Sequence, residues 1–467
     1  MPADTSFQAS LTSVLEREVP GFESLVDCRQ LTAGASQETY RVSCRINGAE
    51  TIFALRRAVP TLQDGTSEVG TISLATEAKL FQLAADNGIP APGVIYVLGA
   101  SDGLGDGFLM EWLEGETLGQ RIVKIDELSE VRPRLARQCG EIMGRIHAID
   151  WRSAGLEADV PTVDPETLVD ETYAAYKELD VPAPMIDYAW RWLKDNLPSD
   201  HRTTLVHGDF RNGNLMINKD GINAVLDWEL AQIGDPVRDL GWLCVNSWRF
   251  GISEKVVGGF GELEELLAGY RSTAGVTVSA SDVHFWQVFG SFWWAMATLQ
   301  MANSWRTGET PSLERPVIGR RSSEAQMDCV NLLFPGEFSL PADKNLDAGT
   351  QLPMPAELLT GVRAFLRETV AAQMDSHNGF MARVAANSLG IAQREFQYGG
   401  ELMSAEQARL EALLDSSDSL DALRWELVNQ LQSGLPLATP GLTAHLRQTV
   451  AAQCWIDQPR YSALRSS

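Results

Sequence analysis

No two of the six cysteines stand close together. They occupy positions 28, 44, 139, 244, 329 and 454, so neither a zinc knuckle nor a Cys-x-x-Cys redox pair is present. They read as free thiols of a reducing compartment. Positive charge is also scarce. The 38 Lys and Arg are outnumbered by 62 Asp and Glu, a net charge of −24. That balance excludes nucleic acid as a partner, because phosphate backbones need clustered cations. The opening segment MPADTSFQASLTSVLEREV carries acids and lacks the apolar run of a signal peptide. With the free thiols, this sets the expectation of a cytoplasmic protein. One stretch, 283–305, has no formal charge and is long enough to span a bilayer. His284, Gln287, Ser291, Gln300 and Asn303 recur through it, which predicts a buried helix and no membrane span.

A chain of 467 residues exceeds one ordinary core. Residues 1–113 read as a small sheet with one helix. Ser24–Leu31 and Thr39–Ile46 are β-prone, Asn47-Gly48 is a hairpin turn, and Thr51–Arg57 is a third strand. A helix follows near Ile72–Asp86, closed by Asn87-Gly88. Val94–Leu98 and Gly107–Trp112 add two strands. Residues 114–334 are mainly helical, with Leu135, Cys139, Ile142, Met143 and Ile146 on one buried face. Residues 335–355 hold four prolines and read as a linker. Residues 356–467 read as a separate helical domain, opening on a helix with Leu358, Leu359, Val362, Leu366 and Val370 on one face.

The chemistry concentrates in HGDFRNGN, His207–Asn214, between the short strands Thr203–Val206 and Leu215–Ile217. Phosphoryl transfer to an alcohol needs a carboxylate to take the hydroxyl proton. It also needs oxygen ligands for Mg²⁺ close by, and positive charge on the transferring group. Asp209 is the candidate base. Asn214, five residues on, offers an amide oxygen to the metal. Arg211, between them, is placed to meet the γ-phosphate. After a hairpin, Asp227 arrives at the end of the apolar strand INAVLD as the second metal ligand.

The order H-x-D-x-x-x-x-N, apolar strand, Asp is similar to the protein-kinase catalytic and metal-binding loops. It resembles the aminoglycoside phosphotransferase and choline kinase family more closely. There the loop reads HGD…N, the metal strand reads like Leu226-Asp227-Trp228-Glu229, and a segment like Gly234–Leu243 (GDPVRDLGWL) opens the next helix. Arg211 with Leu55-Arg56-Arg57 most resembles the branch that includes the kinase-like domain fused to some acyl-CoA dehydrogenases, which acts on hydroxyacyl-CoAs. The resemblance implies an α+β, protein-kinase-like fold of two lobes, a small β-rich one and a mainly helical one, joined here by the all-helical C-terminal domain. It also implies ATP and Mg²⁺.

In that reading Leu31–Val42 becomes the ATP loop, with Gly34 and Ser36. Arg56 stands where the family carries a strand lysine, and Glu77 in the next helix is its partner. Met110-Glu111-Trp112-Leu113 becomes the hinge, and the backbone of Glu111 and Leu113 receives the adenine edge. His207 is architectural. Asp235 and Asp239 cap and brace the helix after the metal loop.

The acceptor is expected among the helices that follow. Trp242, Trp248, Trp286, Trp293, Trp294 and Trp305 crowd there, and no carboxylate falls between Asp282 and Glu309. A polycationic amino sugar calls for carboxylates at its site, so an amino-sugar kinase is the weaker alternative. A small apolar alcohol fits better, either a hydroxyacyl-CoA or a terpenoid- or sterol-like alcohol. A pseudokinase-like nucleotide-binding scaffold is the other alternative, and the intact Asp209, Asn214 and Asp227 argue against it. For the C-terminal domain, homodimerisation or cover of the acceptor site is expected.

Overall fold

The computed structural model describes residues 5–31, 37–58, 72–342 and 354–464. Five antiparallel strands form the N-terminal sheet: β1 (Phe22–Gln30), β2 (Gln37–Ile46), β3 (Ala49–Ala58), β4 (Val94–Val97) and β5 (Gly107–Glu111). Their order is β1-β2-β3-β5-β4. The β2–β3 turn is closed by Asn47 and Gly48 at φ 49° and 78°, the double left-handed geometry that Asn-Gly adopts cheaply. Side chains alternate along β3, so the two adjacent arginines face opposite ways. Arg57 turns to Glu38 at 2.8 Å and stacks on Phe7 at 4.5 Å. Arg56 turns to the cleft.

Helix α1 (Thr5–Glu18), which composition alone did not reveal, seats Leu11, Val14 and Leu15 against Val42, Cys44 and Leu55 of the sheet. Helix α2 (Leu74–Asp86) covers the other face through Leu80, Phe81 and Ala84. Ser73 caps it, its hydroxyl accepting from Thr76 N–H at 3.1 Å.

The second lobe is built on α3 (Arg132–Ile146), α4 (Pro165–Lys177) and α5 (Pro184–Asp195), then β6 (Thr204–Val206), β7 (Leu215–Asn218), β8 (Gly221–Val225) and β9 (Gln232–Gly234). β7 pairs with β8, and β6 with β9, a three-residue strand the sequence pattern did not announce. Helices α6 (Val237–Leu243), α7 (Leu263–Ala274), α8 (Ala280–Arg306) and α9 (Ser322–Leu333) follow. Helices α3 and α7 meet backbone to backbone. A Cβ on Gly140 would lie 2.1 Å from Leu266 O, and one on Gly269 would lie 2.1 Å from Arg137 O. Helix α8 is the uncharged stretch. It begins with a capping box of Ser279 and Asp282 and runs buried through Phe285, Trp286, Phe289 and Phe292. No helix among the described residues is long and apolar enough to cross a membrane.

The C-terminal helices are α10 (Pro355–Ala364), α11 (Ser376–Leu414), α12 (Leu420–Gln432) and α13 (Leu442–Asp457). Leu410, Leu427, Leu446 and Cys454 share one buried cluster with Ile186, Phe289 and Val330 of the catalytic lobe. Helix α10 differs from the expected apolar face. Leu358 and Val362 are 58% and 49% exposed. The helix leans on α11 through polar groups instead, with Gln393 Nε2 donating to Thr360 Oγ1 at 2.8 Å and Arg363 Nη1 to Gln393 Oε1 at 2.9 Å. All six cysteines are free and buried.

One buried acid ties these layers together. Asp328 of α9 accepts from Tyr461 OH at 2.7 Å and from Asn246 Nδ2 at 3.0 Å. Burial pushes its carboxyl from 3.8 up to about 7. The unfolded chain therefore releases this proton first as pH rises, while the folded chain holds it. The stability it contributes is complete below pH ~4 and is lost as pH rises through about 7. Asp328→Asn should flatten that slope. Thermal unfolding at pH 5 and pH 8 checks this, with the variant gaining on the parent protein at the higher pH; equal pH slopes would contradict it.

Candidate active site

Strand β6 delivers His207, and the chain then turns through Gly208 at φ 83°. Only glycine fits there, because a Cβ would lie 2.0 Å from Leu230 O. The turn is pinned from beneath. The N–H groups of His207 and Gly208 donate to the Asp239 carboxylate at 2.8 and 2.9 Å. His147 Nε2 lies 3.1 Å from the same carboxylate. Burial raises the Asp239 carboxyl, and the hydrogen bonds and charge it meets at His147 and His207 outweigh this, leaving it below the usual range. Asp239 thus braces the catalytic loop, where the sequence had suggested a brace for its own helix. Asp235 is the residue that serves the helix, accepting from Val237 N–H at 2.9 Å and from Trp286 Nε1 at 3.0 Å.

His207 is engaged at both ring nitrogens. Nδ1 accepts from Asp209 N–H at 3.2 Å, and Nε2 donates to Leu226 O at 3.1 Å. Burial lowers its pKa. The ring is neutral and couples the catalytic loop to the metal strand.

The Asp209 carboxylate, 8% exposed, gathers three donors. Oδ1 accepts from Trp242 Nε1 at 2.7 Å and from Arg211 Nε at 2.8 Å. Oδ2 accepts from Asn214 Nδ2 at 2.6 Å. Arg211 lies over the Trp248 ring at 4.5 Å, so its charge is drawn back onto Asp209. Trp242 is the partner that sequence reasoning placed only in an aromatic wall. Trp242→Phe removes the indole donor and keeps the ring. A hydrogen bond to a charged group is worth about 1.5–3 kcal/mol, so kcat should fall roughly 10- to 150-fold. Steady-state kinetics check this, and an unchanged kcat would remove Trp242 from the site.

Asn214 and Asp227 are brought side by side by the β7–β8 hairpin, where Leu226 N–H donates to Asn214 O at 2.8 Å. Asp227 sits at φ 66°, a left-handed conformation uncommon outside glycine. Arg56 reaches it from the other lobe. The guanidinium bonds Asp227 Oδ1, meets Glu77 Oε2 at 3.1 Å, and lies 3.7 Å from Glu229. Burial pulls its pKa down, and the three carboxylates more than offset this. Burial pushes Glu77 up to about 7, with Arg56 opposing. Both lobes therefore converge on Asp227 through Arg56.

At the hinge, Glu111 Oε2 accepts from Gly93 N–H at 3.0 Å, and Glu111 N–H donates to Gly93 O at 2.8 Å. Leu113 N–H donates to no backbone acceptor among the described residues. Gly34 and Ser36 lie outside the described residues. Behind the loop, Gly208, Trp242, Trp286, Phe289 and Trp293 line a cavity of about 10 Å³. Arg238 also faces it, and its buried Nη1 has no hydrogen-bond partner among the described residues.

A family model described as a phosphotransferase enzyme family matches residues 27–276, more than half of the 467. The chain belongs to this phosphotransferase family. A second model, described only as a domain of unknown function, matches residues 372–461. The phosphotransferase is 30% identical over 227 residues to mouse acyl-CoA dehydrogenase family member 10, covering 46% of this chain and 20% of that protein. It is 26% identical over 348 residues to the family member 11 protein of Pongo abelii, covering 70% and 42%. The match thus spans less than half the length of these relatives. Among solved structures, a candidate aminoglycoside phosphotransferase from Ralstonia eutropha superposes with a TM-score of 0.55 at 19% identity, covering 69% of this chain and 96% of that one. At that identity the likeness is one of fold, and it agrees with the two-lobed α+β arrangement of this phosphotransferase.

Proposed function

We propose that this phosphotransferase moves the γ-phosphoryl group of ATP to a hydroxyl of a small apolar alcohol, with a hydroxyacyl-CoA as the first class to test and a terpenoid- or sterol-like alcohol as the second. The observation that carries this reading is the position of Asp209. It is a nearly buried carboxylate held by three donors, and its partner Trp242 belongs to the tryptophan and phenylalanine wall behind the loop. Asp209 orients the acceptor hydroxyl and takes its proton as the oxygen bonds to the γ-phosphorus and the bond to the leaving diphosphate breaks. Arg211 balances the charge of Asp209 and faces the transferring group. Arg56 and Glu77 fix the inner end of the nucleotide cleft, and Glu111 and Leu113 present backbone to the adenine edge.

Asn214 and Asp227 fit Mg²⁺. They offer an amide oxygen and a carboxylate oxygen, hard donors on adjacent strand ends. Among the described residues no group of three His, Cys, Asp or Glu forms an all-protein cage. A pair of oxygen ligands completed by phosphates and water is how Mg²⁺ is commonly held. Bound there, the ion would neutralise charge on the phosphate oxygens.

The relatives' names refer to acyl-CoA dehydrogenases, which supports an acyl-CoA as the carrier of the hydroxyl. The lack of any carboxylate between Asp282 and Glu309 weighs against an amino sugar. The deciding experiment offers ATP and Mg²⁺ with hydroxyacyl-CoAs, free apolar alcohols, amino sugars and choline, and reads products by mass spectrometry. A phosphorylated hydroxyacyl-CoA or apolar alcohol is expected. Phosphorylation of the amino sugars alone would overturn the acceptor assignment, and ATP binding without any product would favour a scaffold.

A further inference from the structure

A second cavity lies away from Asp209. It is a cavity of about 220 Å³ between α11, α12 and α13 on one side and α5 and α9 on the other. Its charges are unevenly spent. Arg424 grips Glu406 with two hydrogen bonds, 2.8 and 2.6 Å. Glu395 is paired with Arg320. Arg409 has no ion-pair partner among the described residues. One Nη donates to Thr449 Oγ1 at 3.1 Å, and its buried Nε has no acceptor. His445, 3% exposed, also lines the cavity, and its Nδ1 has no partner. Burial, then Arg409 and Arg424, hold its pKa down at about 4, so the ring is neutral and offers one donor and one acceptor.

Unmet hydrogen-bonding groups at a buried site cost stability unless something satisfies them. The walls between them are apolar, with Leu402, Leu446, Val450 and Ile456. Met403, 46% exposed, stands at the rim. We propose that this cavity is a binding site for a small aliphatic monocarboxylate, whose carboxylate meets the Arg409 guanidinium and the His445 ring while its chain packs on the leucine, valine and isoleucine wall. A cation is disfavoured because both lining carboxylates are already paired and the free charge is a guanidinium. A dianion is disfavoured because one unpaired guanidinium faces it across from Glu406.

The probe is hexanoate, titrated calorimetrically into the full chain, with hexanamide and hexylamine as matched controls. Saturable one-to-one binding of hexanoate is expected, with hexylamine silent and hexanamide at least tenfold weaker. Arg409→Gln should weaken hexanoate at least tenfold, and Arg409→Lys should restore part of it. Met403→Trp, at an exposed position, narrows the entry without touching the charges and should slow or abolish binding. Asp209→Asn should leave it unchanged, which separates this site from the acceptor site. The proposal is overturned if hexanoate gives no heat at millimolar concentration, if the amine binds as well as the acid, or if Arg409→Gln and Met403→Trp, both folded by thermal melt, bind hexanoate like the parent protein.

Discussion

Asp209→Asn should lose turnover by roughly 10²- to 10⁴-fold, the usual contribution of a positioned general base, while ATP binds almost as before. The variant keeps the shape of the side chain and one acceptor oxygen for Trp242 or Arg211. It loses the ability to take a proton. The loop itself should hold, because its backbone is fixed by Asp239 and by the neutral His207 ring rather than by Asp209. Nucleotide contacts are assigned to Arg56, Glu111, Leu113 and the Asn214–Asp227 pair, none of which needs Asp209 to take a proton. Steady-state kinetics with parallel calorimetry of ATP separates the two effects. Near-full kcat in the variant would show that the base has been misassigned.

Asp227→Asn should be nearly as damaging, by a different route. Asparagine tolerates the left-handed backbone at this position, so little strain is added. What disappears is the negative charge that faces Arg56 and would face the proposed metal. Charge stabilisation of a transferring phosphoryl group by a bound metal is worth several kcal/mol, so turnover should drop on the order of 1,000-fold. Unlike Asp209→Asn, this variant should also lose the Mg²⁺-dependence of ATP binding. Titrating ATP with and without Mg²⁺ distinguishes them. An unchanged metal dependence would remove Asp227 from the metal site. Arg56 sharpens the expectation, because in this structure its guanidinium already bonds Asp227 and Glu77. Removing the Asp227 charge leaves it with Glu77 and Glu229 alone.

The parts of the molecule that could be read from the chain are those encoded by near neighbours. Asn47-Gly48 between two alternating runs dictates a hairpin. Asp209, Asn214 and Asp227 lie within one strand-turn-strand, so their spacing carries their geometry. The Arg56–Glu77 contact was accessible through the family resemblance, which pairs the strand cation with an acid of the next helix. Other features depend on distant segments. The indole of Trp242 reaches Asp209 from a separate helix, and no local pattern marks which of the many tryptophans does so. Asp239 looked like a helix brace because aspartate is common at helix starts. Its acceptor role toward two loop amides appears only when α6 packs beneath β6. Strand β9 is three residues long, too short for alternation to register. On α10, apolar periodicity set Leu358 and Val362 on one face, but it did not say what that face meets; the polar Gln393 and Arg363 contacts set the packing and leave both residues exposed. The cavity at Arg409 and His445 needs side chains from five helices, and no sequence window contains it.

The destination of the γ-phosphoryl group decides the reaction. The most direct measurement supplies ATP isotopically labelled in its γ-phosphoryl group to the full chain with Mg²⁺ and the alcohol panel, and follows the label. A labelled phosphoester on the hydroxyl of an apolar alcohol or hydroxyacyl-CoA is expected, abolished in Asp209→Asn. Label found only in inorganic phosphate, or on the protein itself, would contradict it.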